Sequence, residues 1–276
     1  MKKVSGARSG ESRHRPRLIA VDCDGTFFDS DGYPSTRTCE VVRRVVDAGH
    51  HIVAVTGRSR LTACERLAAV PGMHYIVCSN GAYAWDMRSG MLLWEQVIPE
   101  AQVVHLVERL LHAMPDATFG WESRYGIGFD AHFVGLAGGI GQLETGGVGG
   151  DDWSQDLYKL KVRRQSAFDN SLRQTVATIL DDSACEIATS GAPFVEITAK
   201  NSHKGTGLER TAQLLGFTAD SVIAFGDNNN DLPMLRWAGL AVAMGNALDE
   251  VCTEAHDGTL SNTEHGVAVY LERLLY

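Results

Sequence analysis

Four short apolar runs constrain this chain more than any other feature: Leu18-Ile-Ala-Val21, Ile52-Val-Ala-Val55, Tyr75-Ile-Val-Cys78 and Val222-Ile-Ala-Phe225. Each breaks into polar, turn-forming residues, respectively Asp22-Cys-Asp24-Gly25, Thr56-Gly57-Arg58, Ser79-Asn80-Gly81 and Gly226-Asp227-Asn228. An apolar run without alternation suits a strand buried on both faces, as in a parallel sheet covered by helices. Helical periodicity lies between the runs. Residues 36–48 place Val41, Val42, Val45 and Val46 on one face, and 59–69 and 203–215 are also helical. The alternation predicts right-handed βαβ units and an α/β fold, a Rossmann-like parallel sheet.

The rhythm changes after Gly81. Short strands at 83–85 and 91–94 flank the turn Arg88-Ser-Gly90, and a helix over 99–113 starts at a proline. Strands at 118–122 and 126–132, a glycine-rich stretch over 135–150, a strand at 158–163, a helix at 168–180 and strands at 185–189 and 194–198 follow. Hairpins mixed with helices predict an inserted α+β module over 83–192. The parallel rhythm then returns, with strands at 221–225 and 239–243 and helices at 232–237, 248–255 and 266–275. The chain thus divides into a core of 17–82 plus 193–276 and a module inserted between them. Its 276 residues fit one large domain and one smaller one. Residues 1–16 carry Lys2, Lys3, Arg8, Arg13 and Arg15 with no apolar segment behind them, and are expected to be a disordered tail.

The formal charge of −9, with no long basic run, argues against a nucleic-acid partner, and an anionic substrate would need a local cationic site. No stretch approaches the ~20 apolar residues of a membrane span, so no membrane partner is expected. Six cysteines without a CxxC pair suit reduced thiols in the cytoplasm.

Ligands of open α/β sheets bind beyond the carboxyl ends of the strands, where Asp22, Asp24, Thr56, Asn80 and Asp227 fall. A carboxylate at the end of a rigid strand suits a nucleophile or metal ligand, and Asp24 follows close enough to share the site. Two neighbouring carboxylates can divide their roles, one ionised and one carrying a proton. Asp22 and Asp227 would meet the preference of magnesium for a few carboxylates. Thr56, with the backbone amides at Gly57, can hold phosphate oxygens, and Lys204 can neutralise them. Each fragment alone also has an ordinary explanation: an acidic turn, a helix cap at Thr56, Ser59 or Asp231, or a solvated lysine. His203 reads as an exposed helix start. Ser79 and Ser190 lack the context of a nucleophile elbow. Trp85, Trp94 and Trp121 read as core residues, and Gly138-Gly-Ile-Gly141 follows no buried parallel strand, against a dinucleotide loop.

Together these fragments resemble the haloacid dehalogenase superfamily. Its motifs DxDGT, Thr or Ser, Lys and GDxxxD stand here as Asp22-Cys-Asp24-Gly-Thr26, Thr56, Lys204 and Gly226-Asp227-Asn-Asn-Asn-Asp231. The insertion resembles a type C2B cap. Ser79-Asn80-Gly81-Ala82, His203-Lys204-Gly205 and Met244-Gly245-Asn246-Ala247 are similar to sequences of the Cof-like subfamily. The resemblance implies magnesium-dependent hydrolysis of phosphate monoesters through an aspartyl-phosphate. Asp22 would be the nucleophile and Asp24 the acid and base. Mg2+ would be held by Asp22, Asp227 and the backbone carbonyl of Asp24. Thr56, Gly57, Lys204 and Asn230 would bind phosphate, and Asp231 would orient Lys204 or a metal-bound water. Small phosphorylated metabolites, sugar phosphates first, are the expected substrates. Alternatives are a phosphatase for flavin mononucleotide, pyridoxal phosphate or a related cofactor, a phosphohexomutase, and a non-catalytic phosphometabolite-binding regulator. Two departures bear on substrate choice. One is the glycine-rich stretch, and the other is His265 in Asn262-Thr-Glu-His265-Gly266, where the family often has an acid.

Overall fold

The structure is a computed structural model that describes residues 17–130, 132–133, 153–165, 171–180, 184–190 and 192–275. The expected tail and the glycine-rich stretch lie outside the described residues. In chain order the first elements are β1 (Leu18–Val21), α1 (Thr36–Asp47), β2 (His51–Val55), α2 (Arg60–Leu67), β3 (Met73–Cys78), β4 (Tyr83–Asp86) and β5 (Met91–Glu95). Next come α3 (Glu100–Ala113), β6 (Ala117–Ser123), β7 (Gly126–Phe129), β8 (Leu157–Arg164), α4 (Leu172–Leu180), β9 (Cys185–Ala188) and β10 (Val195–Ala199). The chain closes with α5 (Lys204–Leu214), β11 (Val222–Gly226), α6 (Leu232–Trp237), β12 (Leu240–Ala243), α7 (Asp249–Glu254), β13 (Asp257–Gly258) and α8 (Gly266–Glu272).

The larger sheet runs β13-β12-β11-β1-β2-β3-β4-β5, parallel from β13 to β3. The four apolar runs are its central strands, because both faces are covered. Helix α1 buries Val41, Val42 and Val45 against one face, beside Val267 and Leu271 of α8. Leu208 and Ala212 of α5 and Met234 and Leu235 of α6 cover the other face. Ser35 starts α1 by accepting a hydrogen bond from the Thr38 amide on its hydroxyl, 3.1 Å.

The smaller sheet, β7-β6-β8-β10-β9, is antiparallel and lies between the two halves of the large domain in sequence. One of its faces packs Phe119, Trp121, Leu160, Val162 and Ile197 against Val103, Leu106 and Leu110 of α3 and Val176 and Leu180 of α4. Alternation puts Lys159 and Lys161 on the opposite face of β8.

Sheet membership corrects both expected junctions of the inserted module. Strands β4 and β5 extend the larger sheet, β4 lying antiparallel to β3 with Cys78 opposite Tyr83. The turn at Arg88-Ser-Gly90 predicts that the two strands pair with each other, and it carries no information on a third strand. The edge of β3, separated from β4 by a tight turn, takes them. Conversely, β10 pairs with β8 through Val195 opposite Val162, so it belongs to the smaller sheet and not to the core. The chain leaves the large sheet after Glu95 and returns to that domain after Ala199. Trp121 is buried in the smaller core, as expected. Trp94 and Trp85 are half-buried, Trp94 donating to Thr211 Oγ1 at 3.2 Å and Trp85 lying under the Arg60 guanidinium. Among the described residues no helix is long and apolar enough to cross a membrane.

Candidate active site

Asp22 prolongs β1 by one residue, and its amide donates to the Phe225 carbonyl at 3.1 Å, tying the ends of β1 and β11 together. The chain then makes a wide turn, with the Phe27 amide on the Asp22 carbonyl (3.2 Å) and the Phe28 amide on the Cys23 carbonyl (2.8 Å). Gly25 takes φ +81° in this turn, and a Cβ there would lie 2.4 Å from Asp227 Oδ2. Glycine is therefore required twice, for the left-handed backbone and for the approach to Asp227. Thr26 Oγ1 donates to Asp227 Oδ1 at 2.9 Å. From outside, Asn246 Nδ2 donates to the Gly25 carbonyl and Asn262 Nδ2 to the Phe28 carbonyl, 2.8 Å each. These bonds give a structural role to two of the C-terminal segments noted in the sequence.

Lys204 opens α5 and is 1% exposed. Its Nζ donates to Asp22 Oδ1 and to Asp231 Oδ1, 2.6 Å in each case. The other oxygen of Asp231 accepts the amides of Asp227 and Asn228, 3.0 Å each, so Asp231 both shapes the Gly226–Asp231 turn and holds Lys204. His203 caps α5: its Nδ1 accepts the Thr206 amide at 3.3 Å and its own amide donates to Thr206 Oγ1 at 3.2 Å. Burial pushes the Asp22 carboxyl well above its ordinary pKa and neighbouring Asp231 adds to this, with Lys204 opposing. Burial also raises Asp227, to about 6, again with Asp231 adding. For Lys204 burial works against the ammonium, but Asp22 and Asp231 outweigh it and hold the pKa above its usual value.

One oxygen from each of Asp22, Asp227 and Asp231 lies within 4.8 Å of the others. Such a set of hard, acidic oxygens fits Mg2+, and a divalent cation would relieve the like-charge repulsion that adds to the effect of burial on Asp22 and Asp227. The carboxylate group the structure assembles therefore contains Asp231 and not Asp24. Asp24 entered the expected metal set through its backbone carbonyl, on which this grouping has no bearing. Its half-exposed carboxylate forms a two-pronged ion pair with Arg58, Nε to Oδ2 at 2.7 Å and Nη2 to Oδ1 at 2.6 Å.

Asp22, Asp24, Gly57, Lys204 and Asn230 line one cleft of about 600 Å³ between the large domain and the small sheet. Thr56, next to Gly57 in the chain, is buried and does not itself line the cleft, and its hydroxyl accepts the Arg58 amide at 3.1 Å. Asn230 Nδ2 donates to Asn80 Oδ1 at 3.2 Å, and Asn80 Nδ2 donates to Glu196 Oε2 of β10 at 3.0 Å. Lys159 of β8 donates to the Gly57 carbonyl at 2.6 Å and to Glu196 Oε1 at 2.7 Å. Burial alone would raise the Glu196 carboxyl, but Lys159 beside it leaves it below the usual range. A second bridge joins Glu122 of β6 to the hydroxyls of Ser79 and Tyr83, the latter at 2.7 Å. Ser79 is thus a structural donor.

The residues missed by sequence reasoning are Arg58, Lys159, Lys161, Glu122 and Glu196. The available signal was partial: Lys159-Leu-Lys161-Val-Arg163 alternates cation and aliphatic, which marks a strand with one charged face and does not say what that face meets.

With this geometry in view, the wider kinship is direct. The sequence description of the haloacid dehalogenase-like hydrolases matches residues 19–124 and 150–271, and the chain belongs to that family. Within it the chain is a hydrolase of phosphoric monoesters, in keeping with its curated relatives, which are named as phosphatases. The 5-amino-6-(5-phospho-D-ribitylamino)uracil phosphatase YitU of Bacillus subtilis (strain 168) is 30% identical, over 94% of this chain and 97% of its own. The pyridoxal phosphate phosphatase YbhA of Escherichia coli (strain K12) is 26% identical, over 92% and 97%. Among solved structures, BT1666 from Bacteroides thetaiotaomicron, a phosphatase of the superfamily, superposes with a TM-score of 0.80 at 24% identity, covering 98% of each chain. The subclass IIB sugar phosphatase BT4131 gives 0.80 at 19% identity, covering 94% and 98%. Both confirm the fold, a parallel-sheet core with a cap, to which the smaller sheet corresponds.

Proposed function

We propose that the chain hydrolyses small phosphorylated metabolites in two steps through an aspartyl-phosphate on Asp22, with Mg2+ as cofactor. The observation that carries this reading is the buried Asp22 carboxylate, held at a strand end by Lys204 and open to a cleft that also contains Asp24. In the first step an Asp22 oxygen attacks phosphorus in line with the ester oxygen, and Asp24 gives the departing alkoxide its proton. That requires Asp24 to exchange Arg58 for the leaving oxygen. In the second step Asp24, now a carboxylate, takes a proton from water as the water oxygen attacks phosphorus, which releases inorganic phosphate and restores Asp22. Lys204 neutralises charge beside the reacting group, and Asp231 orients Lys204. Thr56, the Gly57 amide and Asn230 receive the phosphoryl oxygens. Mg2+, held by Asp22, Asp227 and the Asp24 carbonyl, would supply further charge neutralisation for those oxygens.

The presence of both Asp22 and Asp24 favours an enzyme over a binding regulator, and the named phosphatases among the relatives favour hydrolysis over a phosphohexomutase. Those relatives also bring cofactor-type phosphates ahead of the sugar phosphates expected first. A cytoplasmic location goes with the proposal, since all six cysteines are free thiols and suit a reducing compartment. Phosphate release from p-nitrophenyl phosphate is the test. The chain should be active with Mg2+, inactive with chelator, and inactive as Asp22→Asn. Full turnover by Asp22→Asn would overturn the assignment of the nucleophile.

A further inference from the structure

The small sheet brings the rings of Phe129 and Phe194 and the ion pair of Lys159 and Glu196 to the cleft. The ion pair reaches two elements of the large domain. Lys159 meets the Gly57 carbonyl, and Glu196 meets Asn80, which in turn meets Asn230. Asn80 spans its two partners from a strained backbone. Strand β3 runs out into Ser79 at φ +50° and Asn80 at φ +56°, two consecutive non-glycine residues in the left-handed region. Their surroundings hold them there. The Ser79 amide donates to the Arg58 carbonyl at 2.9 Å and the Asn80 amide to the Thr56 carbonyl at 3.0 Å, so the turn clasps the Thr56–Arg58 loop. Gly57 makes room for it, since a Cβ there would lie 3.0 Å from Asn80 Oδ1. Strain of this kind persists where side chains must be aimed. Here Ser79 is aimed at Glu122 and Asn80 at Glu196.

The chemistry of the partners fixes which way each amide points. An ionised carboxylate only accepts hydrogen bonds. Glu196 is ionised, because the Lys159 ammonium 2.7 Å from Oε1 outweighs the effect of burial on the carboxyl. Its Oε2 therefore takes the Asn80 Nδ2 group, at 3.0 Å. Asn80 is left with its carbonyl oxygen toward Asn230. That oxygen needs a donor, so Asn230 turns its own Nδ2 toward it, at 3.2 Å. An amide nitrogen carries two hydrogens, and Asn80 engages one of them. Asn230 lines the cleft and makes no other side-chain hydrogen bond among the described residues, which leaves the second hydrogen for a phosphoryl oxygen. A reversed Asn230 would put its carbonyl oxygen where Nδ2 stands, and an acceptor there repels phosphate.

We propose that Asn80 and Glu196 are positioning residues for phosphate binding: the cap carboxylate sets the Asn80 amide, Asn80 sets the Asn230 amide, and the phosphate site of the large domain is complete only with the small sheet docked on it. This rests on the phosphatase reading and extends it to residues that act through Asn230. The test is the dissociation constant of inorganic phosphate, measured by calorimetry with Mg2+ present. Asn80→Ala should weaken phosphate about tenfold by removing the link, and Glu196→Gln about as much, because a neutral amide accepts either orientation of Asn80. Asn80→Asp sets two carboxylates face to face and should weaken it further. Adding Glu196→Gln to Asn80→Asp exchanges donor and acceptor between the two positions and keeps an acceptor toward Asn230. That double variant should return to within about threefold of wild type. In an Asn230→Ala background, Asn80→Ala should cost nothing more. An unchanged affinity in Asn80→Ala overturns the proposal, as does a double variant no better than Asn80→Asp. A tenfold loss that persists in the Asn230→Ala background also overturns it, since it marks a purely structural role. Thermal unfolding checks that each variant is folded at the assay temperature. If Asn80→Asp alone does not fold, the double variant against wild type and the Asn230→Ala background decide the matter. Phosphate binding needs no turnover, so coupling in these titrations supports the proposal even if no ester is hydrolysed.

Discussion

Replacing Lys204 with methionine removes a charge that faces two carboxylates at 2.6 Å each while roughly keeping the side-chain volume. At an effective dielectric constant of about 20, each contact at that distance amounts to about 6 kcal/mol of attraction. Desolvation of the ammonium offsets much of it. The cost of truncation is that of leaving buried carboxylates without their partner, about 3–5 kcal/mol. Proton uptake limits that loss. Asp22 is already pushed above its ordinary pKa by burial and by Asp231, and Lys204 is what opposes the rise. Without Lys204 the carboxyl rises further. A carboxyl with a folded pKa above its unfolded value makes the native state hold more protons than the unfolded one, so stability falls as pH rises from the unfolded pKa to the folded one. Lys204→Met should therefore be closest to wild type near pH 5 and farthest from it near pH 8. Urea unfolding at pH 5, 6.5 and 8 in the presence of chelator measures this; in a separate assay with Mg2+, phosphate release at pH 8 should fall at least about a hundredfold. A deficit below about 1 kcal/mol at pH 8, or one that does not change with pH, would refute the role of Lys204 as counter-charge to this cluster.

Gly25→Ala should raise the Mg2+ concentration for half-maximal activity and cost about 1–3 kcal/mol, since the new Cβ displaces Asp227 in a backbone with positive φ; an unchanged magnesium titration counts against the close approach. Glu196→Ala removes the carboxylate that pairs with the buried Lys159 ammonium and should cost about 3–5 kcal/mol in urea unfolding. Because Lys159 holds the Glu196 carboxyl below the usual range, its stabilisation is present above the unfolded pKa and is lost as pH falls through the folded one, so the thermal midpoints of wild type and Glu196→Gln should converge below about pH 4. Asp24→Asn breaks an ion pair whose carboxylate is half exposed, so stability should shift by less than about 1 kcal/mol while phosphate release falls at least about a hundredfold. A variant that keeps its activity removes Asp24 from the mechanism.

Asp22, Thr56, Asn80 and Asp227 were legible as a group because their place follows from local pattern alone. An unbroken apolar run is a doubly covered parallel strand, and the polar residue ending it must stand at the carboxyl edge of the sheet. The same pattern located the helices and showed that a different kind of module interrupts the core. It did not assign β4, β5 and β10 to their sheets, because alternation and turn residues specify that a strand forms and not which edge it joins. Lys204 stands 182 residues from Asp22 in sequence, and it stood out only through the family resemblance. Its burial between Asp22 and Asp231 is a product of the packing of α5 beside α6. The cap side of the cleft lay farther from view. A period of two says that Lys159 and Lys161 share a face. Only the docking of the small sheet decides that this face meets Gly57, Asn80 and the substrate cleft. Sequence by itself determined the strand ends and hence which polar residues gather at the carboxyl edge of the sheet, since those depend on neighbours along the chain. Tertiary structure alone decided which buried cation balances Asp22 and which rings line the cleft beside it, since those depend on contacts between segments far apart in the chain.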